Sequence, residues 1–363
     1  MPIFVPGLQL SKDFYREAVR PILDAHFPGL VYSTALIGSG SEVIGFDTER
    51  STDHMWGPRL ILFVAPADRD RHGAAIVDTL GRHLPYTFRG YSTHFGTPDT
   101  EGIQSLEEVE SGPVQHRVEV TTLPAFCAGY LGHDLQSEIT VADWLTFSEH
   151  KLLTLTAGRV FHDGLGTLEP MRRTLAYYPH DVWLYLLASQ WQKISQEEAF
   201  VGRCGDVGDE IGSRLIAARI VQYLMELCFL MERRYLPYSK WFGSAFARLA
   251  GAPRLAPFLE EVLRADAWQE REASLARAYA VVAEMHNALG ITRPLPTEVT
   301  PYFNRPYLVI HGDAFAAEIA QTIQDERIRA IGGLIGSVNQ FVECVDIISD
   351  AAWRPRLQRM FAP

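Results

Sequence analysis

The sequence predicts an α+β protein, with a small mixed β-sheet and flanking helices first and a larger all-helical part after it. Short β-type runs alternate with helical patterns up to about residue 124, as in α/β and α+β domains. Beyond Pro124, aromatic and aliphatic residues recur three and four positions apart, the period of a helix that buries one face. A length of 363 residues is enough for two domains. We expect a sheet domain over residues 1–124 and a helical, substrate-binding domain over 125–363, with a proline-rich joint at 292–306.

The individual elements follow from periodicity. A first helix is expected over residues 11–26 and a second over 69–83. Strands are expected over residues 31–37, 59–65, 86–91 and 115–122, and the last alternates apolar residues with Arg117, Glu119 and Thr121. Helical patterns then cover residues 140–157, 166–177, 180–200, 209–235, 239–250, 255–264, 268–289, 313–330 and 337–348.

Composition excludes several classes of protein. Hydrophobic residues make up 47% of the chain and charged residues 21%, so the chain has enough apolar surface for a packed core and is not generally disordered. The 33 Lys and Arg against 44 Asp and Glu give a net charge of −11, which argues against nucleic acid as a partner. The four cysteines form no C-x-x-C pair. Because no secretory leader or membrane span is visible, we expect a cytoplasmic protein with no membrane partner.

One segment carries the chemistry of the prediction. An apolar strand leads into a turn of small residues, a helix is expected to begin near Glu42, and an acidic residue, Asp53, precedes the next strand. Glycines let the backbone approach a ligand closely, and the N–H groups of a helix N-terminus bind phosphate. A carboxylate beside bound phosphates can hold Mg²⁺. The predicted ligand loop consists of Gly38, Ser39, Gly40 and Ser41.

This pattern resembles the nucleotidyltransferase superfamily of the DNA polymerase β type. Its signature is an apolar strand, Gly-Ser, a spacer of about ten residues, and Asp-x-Asp. Both Gly38-Ser39 and Gly40-Ser41 give an acceptable spacing to Asp53, and the shorter spacer favours the second pair. The resemblance implies a further carboxylate on a later strand, for which Glu119 is the candidate.

A closer resemblance is to DUF4037, a bacterial family of uncharacterised nucleotidyltransferase-like proteins. The resemblance implies a fold like that of aminoglycoside nucleotidyltransferases, in which a helical domain closes the substrate cleft. The blocks that carry it are GSGSEVIGFD at 38–47, STDHMWGPRL at 51–60, GRVFHD at 158–163, YYPHDVW at 177–183 and YLPYSKWFG at 235–243.

The resemblance also implies a reaction. An NTP, most simply ATP, would donate its NMP to a hydroxyl group of a small-molecule acceptor. Asp53 and Glu119 would bind Mg²⁺, and the loop of residues 38–41 would bind the β- and γ-phosphates. Three cationic residues, Arg59, Arg203 and Lys240, are candidates to neutralise the triphosphate.

One residue departs from the superfamily pattern. Met55 occupies the second carboxylate position of Asp-x-Asp, and a thioether cannot replace a hard anionic oxygen as a ligand of Mg²⁺. Transferase activity, toward which the prediction leans, is therefore open at this point. The alternative is a repurposed fold that binds a nucleotide or another ligand without transfer, or that catalyses a metal-independent lyase or cyclase reaction.

Overall fold

The computed structural model describes residues 3–52, 55–100 and 102–362, so the predicted metal ligand Asp53 lies outside the described residues. The chain forms two compact units. The sheet unit consists of Met1–Glu138 and Lys151–Ala176, and the helical unit of Ile139–His150 and Tyr177–Pro363.

Helices and short strands alternate in the first part of the chain. Helix α5 (Val141–Thr146) and the first two residues of α6 (Glu149–Ala157) belong to the helical unit. The other elements up to Thr174 belong to the sheet unit. The elements are α1 (Gly7–Phe14), a π turn (Tyr15–Val19), α2 (Arg20–His26), β1 (Tyr32–Leu36), two 3₁₀ turns (Ser41–Ile44 and Glu49–Ser51), β2 (Arg59–Val64), α3 (Pro66–His83), β3 (Thr87–Phe88), β4 (Tyr91–Ser92), β5 (Arg117–Thr121), α4 (Leu123–Leu131), α5 (Val141–Thr146), α6 (Glu149–Ala157), β6 (Arg159–Asp163) and α7 (Leu168–Thr174).

The sheet unit contains a four-stranded mixed sheet in the order β5-β2-β1-β6. Strand β5 runs parallel to β2, whereas β1 is antiparallel to both β2 and β6. Ile61 of β2 lies opposite Ala35 of β1 on one side and Glu119 of β5 on the other. The predicted small mixed sheet is confirmed.

The two faces of the sheet differ in character. One face packs against α1, α2 and α3, because Leu60 and Leu62 of β2 and Val118 of β5 belong to one hydrophobic core with Phe14 and Leu80. Side chains alternate between faces along a strand. The opposite face of the sheet therefore carries Arg59, Ile61 and Phe63 of β2, with Arg117, Glu119 and Thr121 of β5 beside them.

Four of the predicted elements are broken where the backbone turns. Two of them are the helices predicted over residues 313–330 and 337–348, which are interrupted at the extended residues Ile323 (φ −65°, ψ 127°) and Val342 (φ −106°, ψ 114°). Residues 86–91 were predicted to form one strand. They belong instead to the hairpin β3–β4, because Arg89 (φ 53°) and Gly90 (φ 84°) reverse the chain. The helix predicted over residues 140–157 is interrupted between α5 and α6, where Phe147 is extended (φ −65°, ψ 137°).

Strand β6 extends the sheet unit beyond residue 124, where we expected the sheet domain to end. Ser33 of β1 lies opposite Asp163 and Leu36 lies opposite Arg159. Since a strand paired with the edge of a sheet is part of that sheet, residues 159–163 belong to the sheet unit although helices flank them on both sides in sequence.

The helical unit is built around two long buried helices. Helix α8 (His180–Glu197) packs against α10 (Glu210–Met231) and α14 (Gly312–Thr322). Trp191 of α8 stacks on Phe315 of α14 with 4.2 Å between ring centroids. Within the predicted proline-rich joint, Leu295 is bound to Asn287 by two hydrogen bonds, and β7 pairs with β8. The elements are α8 (His180–Glu197), α9 (Phe200–Asp206), α10 (Glu210–Met231), α11 (Ser239–Phe246), α12 (Ala252–Arg264), α13 (Trp268–Ala288), β7 (Thr300–Pro301), β8 (Leu308–Val309), α14 (Gly312–Thr322), α15 (Glu326–Arg329), α16 (Val338–Phe341), α17 (Val345–Ser349) and α18 (Arg354–Leu357), with 3₁₀ turns at Ala351–Trp353 and Gln358–Phe361.

None of the helices in the described part of the chain combines the length and the apolar character that a membrane crossing requires.

Asp163, at the end of β6, connects the sheet to α7. Its Oδ1 atom accepts a hydrogen bond from the Ser33 hydroxyl of β1 at 2.7 Å. Its carboxylate also accepts hydrogen bonds from the backbone N–H groups of Thr167, Leu168 and Glu169. Burial acts to raise the pKa of Asp163, but these hydrogen bonds stabilise the ionised form and hold the pKa below its usual range.

We expect Asp163→Ala to lower the free energy of unfolding at pH 7 by about 1–2 kcal/mol, because α7 loses the acceptor for its first N–H groups. Since the folded pKa is depressed, this stabilisation is present above the unfolded pKa of about 3.9 and is lost as the pH falls through the folded value. Urea unfolding at neutral and acidic pH measures both effects. Asp163→Asn retains one acceptor oxygen and should lose less stability, and an unchanged stability of Asp163→Ala at pH 7 would contradict the prediction.

Candidate functional site

The loop of residues 38–41 follows directly after β1. Gly38 (φ 84°) and Gly40 (φ 131°) adopt backbone conformations that L side chains rarely adopt. A Cβ atom on Gly38 would lie 3.3 Å from the ring of Phe126. Ser39 is exposed and Ser41 is half-buried. The two glycines therefore allow a tight turn that brings the backbone close to its neighbours and leaves Ser39 at the surface.

The helix expected near Glu42 is only one 3₁₀ turn, Ser41–Ile44. It ends because Gly45 follows in the left-handed conformation (φ 71°). A single turn aligns too few peptide groups to produce the partial charge of a full helix terminus. The expectation that a helix N-terminus binds the phosphate is therefore wrong, and phosphate contacts from this loop would have to come from individual N–H groups and hydroxyls.

Arg59, the first residue of β2, holds the loop in place. Its Nε atom donates a hydrogen bond to Glu42 Oε1 at 3.0 Å, and its Nη2 atom donates to the same oxygen and to the Ser39 carbonyl. The side chains are largely buried, with 12% of Arg59 and 4% of Glu42 exposed. The charge of Arg59 is thus paired within the protein, where the residue holds the loop backbone, and its contact with a triphosphate stays a prediction.

Strand β5 places a second arginine and an acid beside Arg59. In the parallel register, Arg117 lies opposite Arg59 and Glu119 lies opposite Ile61, so Arg59, Arg117 and Glu119 share one face of the sheet. Burial lowers the pKa of Arg117 first, the positive charge of Arg59 lowers it further, and the charges of Glu119 and Glu42 oppose the shift. Arg117 is half-buried, and the Glu119 side chain is exposed.

An aromatic pair on α4 flanks the loop. The rings of Phe126 and Tyr130 are stacked with 5.6 Å between centroids, and Phe126 meets Phe63 of β2 edge to face. The Tyr130 hydroxyl lies 2.7 Å from Thr154 Oγ1. Burial raises the pKa of Tyr130, while hydrogen bonds with Thr154 and Ser39 and the charge of Arg59 partly oppose the rise. We call residues 38–41, Arg59, Arg117, Glu119 and Tyr130 the loop site.

Met55 is held next to β5 through its backbone. Its N–H group donates to the Gln104 carbonyl at 2.8 Å, and Gln104 Oε1 accepts a hydrogen bond from Arg117 Nη1 at 3.1 Å. Met55 is in the left-handed region (φ 54°), which Asn and Asp adopt more readily than Met. The backbone at position 55 is therefore suited to the aspartate that the superfamily signature has there.

The structure does not test the predicted Mg²⁺ site. Among residues 3–52, 55–100 and 102–362, no three His, Cys, Asp or Glu side chains come together in a way that could hold a metal ion. Asp53, the first predicted ligand, is not among these residues. The other predicted ligand, Glu119, is exposed and lies beside Arg117 on the same face of the sheet.

The other two predicted phosphate-binding residues lie in the helical unit. Lys240 is exposed at the start of α11, and its Nζ atom lies 5.0 Å from the centroid of the Trp241 ring. Arg203, on α9, lies over the ring of Phe200 at 5.2 Å. Their role at a triphosphate stays a prediction.

Four residues of this region had no predicted role: Arg117, Gln104, Phe126 and Tyr130. For Arg117 the signal was present, because residues two apart in a strand share a face and Arg117 therefore accompanies Glu119. Phe126 and Tyr130 are four apart on α4, a spacing that places them on one helix face. No local pattern marks Gln104, which is brought to Arg117 by the loop before β5.

Residues 144–242 match the model of the family DUF4037, a domain of unknown function. The predicted resemblance to this family is confirmed over these residues. They include the blocks at 158–163 and 177–183 and all but the last residue of the block at 235–243, whereas the blocks at 38–47 and 51–60 lie outside the match.

The chain is also similar to a solved structure, a nucleotidyltransferase-like protein from Exiguobacterium sibiricum 255-15. The sequences are 9% identical, the likeness covers 89% of this chain and 91% of that one, and the TM-score is 0.34. No curated protein matches the sequence.

We expect Gly40→Ala to destabilise the sheet unit more than Gly112→Ala. Both glycines have positive φ, so both substitutions strain the backbone. A Cβ on Gly40 would in addition collide with Arg59 and Glu42, whereas nothing lies within 4 Å of a Cβ on Gly112. Strain alone costs about 1 kcal/mol, and disturbing the ion pair adds about 1–3 kcal/mol. Urea unfolding of both variants measures the difference, and equal losses would show that the Arg59–Glu42 pair tolerates movement of the loop.

Proposed function

We propose that this protein is a nucleotidyltransferase-like enzyme that transfers the NMP of an NTP, ATP in the first instance, to a hydroxyl group of a small-molecule acceptor with Mg²⁺ as cofactor. In this reaction the acceptor hydroxyl attacks the α-phosphorus and pyrophosphate leaves. The proposal includes a cytoplasmic location, where NTPs are abundant.

The observation that carries the proposal is the loop site. Residues that are about 80 positions apart in sequence, the loop of residues 38–41 and the Arg117–Glu119 segment of β5, lie on one face of the sheet around Arg59. A tight glycine loop, a half-buried cation and an exposed carboxylate are the parts that a triphosphate and its metal require. The DUF4037 match over residues 144–242 is consistent with the family that suggested this reaction.

Each residue of the loop site has a role in the proposal. Arg59 fixes the loop through the Ser39 carbonyl, so that loop N–H groups and the Ser39 and Ser41 hydroxyls can bind phosphate oxygens. Arg117, which hydrogen-bonds Gln104 and is half-buried, neutralises phosphate charge. A role for Arg203 and Lys240 at a triphosphate stays a prediction.

The donor chemistry fits one Mg²⁺ better than two. Asp53 and Glu119 would supply hard carboxylate oxygens together with the nucleotide phosphates, whereas Met55 supplies only a soft thioether. When bound, Mg²⁺ would neutralise the charge that develops on the phosphates.

Arg117→Gln should weaken binding of ATP in the presence of Mg²⁺ at least tenfold, because a charge-assisted hydrogen bond to phosphate contributes about 1.5–3 kcal/mol. Glutamine is neutral and shorter but keeps a polar amide group with N–H donors at this position. Isothermal titration calorimetry measures the Kd.

Arg82→Gln is the matched control, since Arg82 is an exposed residue of α3 that pairs only with the neighbouring Asp78 among the described residues. Its affinity for ATP should equal that of the wild type. Absence of binding of all four NTPs to the wild-type protein would overturn the proposal, and unchanged affinity of Arg117→Gln would remove Arg117 from it.

A second candidate function is favoured by Met55. Without a second carboxylate, the loop site would bind a nucleotide or another ligand without nucleotidyl transfer, or would support a metal-independent lyase or cyclase reaction. The backbone N–H of Met55 donates to the carbonyl of Gln104, and the side chain of Gln104 accepts a hydrogen bond from Arg117. Met55, which replaces the carboxylate of the superfamily signature, is therefore linked to the loop site through Gln104.

Met55→Asp distinguishes the two functions. The left-handed backbone at position 55 accepts aspartate, so the variant should be at least as stable as the wild type. If the natural protein is a transferase, the wild type itself releases pyrophosphate from ATP when Mg²⁺ and an acceptor are present. If only Met55→Asp gains Mg²⁺-dependent pyrophosphate release, the natural protein binds without transfer. Met55→Asn is the control, because it has the same backbone preference and no carboxylate.

A further inference from the structure

A buried acid, Glu149, lies in the helical unit at the first residue of α6. Glu149 is only 6% exposed. Its backbone N–H donates to Asn339 Oδ1 at 2.9 Å, and Asn339 in turn donates to the Phe147 carbonyl at 2.8 Å. The carboxyl group accepts a hydrogen bond from the backbone N–H of Leu236. Within the described residues, no lysine or arginine forms an ion pair with Glu149.

Three tyrosines lie near this acid. The rings of Tyr177, Tyr178 and Tyr235 contact one another, with centroid distances of 5.1 Å for Tyr177–Tyr178 and Tyr177–Tyr235 and of 5.2 Å for Tyr178–Tyr235. Burial raises the pKa of all three phenols, and the charge of the nearby Glu149 raises each of them further. The acid and the three hydroxyl groups therefore occupy one region of low polarity. We call Glu149, Tyr177, Tyr178 and Tyr235 the acid–tyrosine cluster.

Three oxygen atoms of this cluster lack a hydrogen-bond partner among the described residues: Oε1 of Glu149 and the hydroxyls of Tyr177 and Tyr178. Leaving a buried polar atom unpaired costs about 1–3 kcal/mol. The two residues Glu149 and Tyr178 are more than nine-tenths buried, whereas Tyr177 is half-buried and gives the cluster an exposed edge. A ligand that satisfies all three oxygens at once would recover this free energy.

We propose that the acid–tyrosine cluster is a binding site for the primary ammonium group of a small molecule. An ammonium group has three N–H donors and no acceptor, which matches three oxygens that can all accept. Its positive charge supplies the partner that the Glu149 carboxylate lacks, and tyrosine rings attract a cation through their faces. This site does not depend on the proposed nucleotidyl transfer, because it lies in the helical unit and its test uses no nucleotide.

Binding would change the protonation of Glu149. Burial raises its pKa to about 8, a hydrogen bond from Leu236 opposes the shift, and the charge of Glu226 adds to it. Glu226 is itself bound by Gln190, Gln222 and Lys193. The positive charge of Arg233 faces the cluster as well, and it lowers the pKa of Tyr177. At pH 7 Glu149 is therefore mostly protonated, and an ammonium group that ionises it expels a proton into solution.

The test follows the Glu149 carboxyl directly in the full chain. Carboxyl carbon NMR of protein labelled in glutamate, compared with Glu149→Gln, identifies the Glu149 resonance. Glutamine is neutral, as protonated Glu149 is, so this variant should remain folded. Millimolar 1-butylamine, neutralised to pH 7, is expected to move the resonance to the position of the ionised carboxylate and to raise the Tm of the wild type but not of Glu149→Gln.

Matched probes and variants separate the ammonium group from its surroundings. 1-Butanol has the same hydrocarbon chain without the charge, and tetramethylammonium has the charge without N–H donors, so neither should move the resonance. Tyr178→Phe removes one acceptor and should weaken butylamine about tenfold. Tyr279→Phe is its control, because the Tyr279 hydroxyl is also buried and without a hydrogen-bond partner among the described residues but lies on α13. A resonance unmoved by butylamine, or moved equally by 1-butanol, would overturn the proposal.

Discussion

The ion pair between Arg59 and Glu42 is the constraint on which the loop site depends. It joins the first residue of β2 to the turn after β1, and the same guanidinium group holds the Ser39 carbonyl. Both side chains are largely buried, so removal of either partner would leave an uncompensated charge at a cost of about 3–5 kcal/mol. Gly40 has no side chain because Arg59 and Glu42 occupy the space where its Cβ would lie. The loop conformation is thus set by a charge pair rather than by a helix, since only one 3₁₀ turn follows it.

Because of this ion pair, the two arginines of the loop site, Arg59 and Arg117, have different roles. Arg59 donates its hydrogen bonds to Glu42 and Ser39 within the protein. Arg117, which lies opposite Arg59 in the parallel register, is half-buried on the same face of the sheet. The repulsion between two adjacent guanidinium groups is tolerated where anions lie nearby, and Glu42 and Glu119 are those anions. A phosphate group would serve the same purpose, which is the physical basis of the proposed nucleotide site.

The helical unit presents the opposite case. Glu42 is buried with its arginine, whereas Glu149 is buried with tyrosines and a single backbone N–H group, so its neutral form is favoured at pH 7. A buried acid in this state is an incomplete pair. The hydroxyls of Tyr177 and Tyr178, for which the described residues offer no hydrogen-bond partner, are incomplete in the same way, although they are neutral. Both observations are accounted for by a cationic donor that comes from outside the chain.

Much of the fold could be predicted from the sequence because it is local. Alternation in residues 115–122 identified β5 and placed Glu119 and Arg117 on one face, and three- and four-residue spacing identified the long helices α8, α10 and α13. Small residues at 38–41 identified the loop. What the tertiary structure decided was non-local: β6 joins the sheet across more than 100 residues, Arg59 pairs with Glu42, and Glu149 lies near tyrosines from two separate segments. Periodicity records which side of an element is buried, but the partner of a buried charge is chosen only when distant segments pack together.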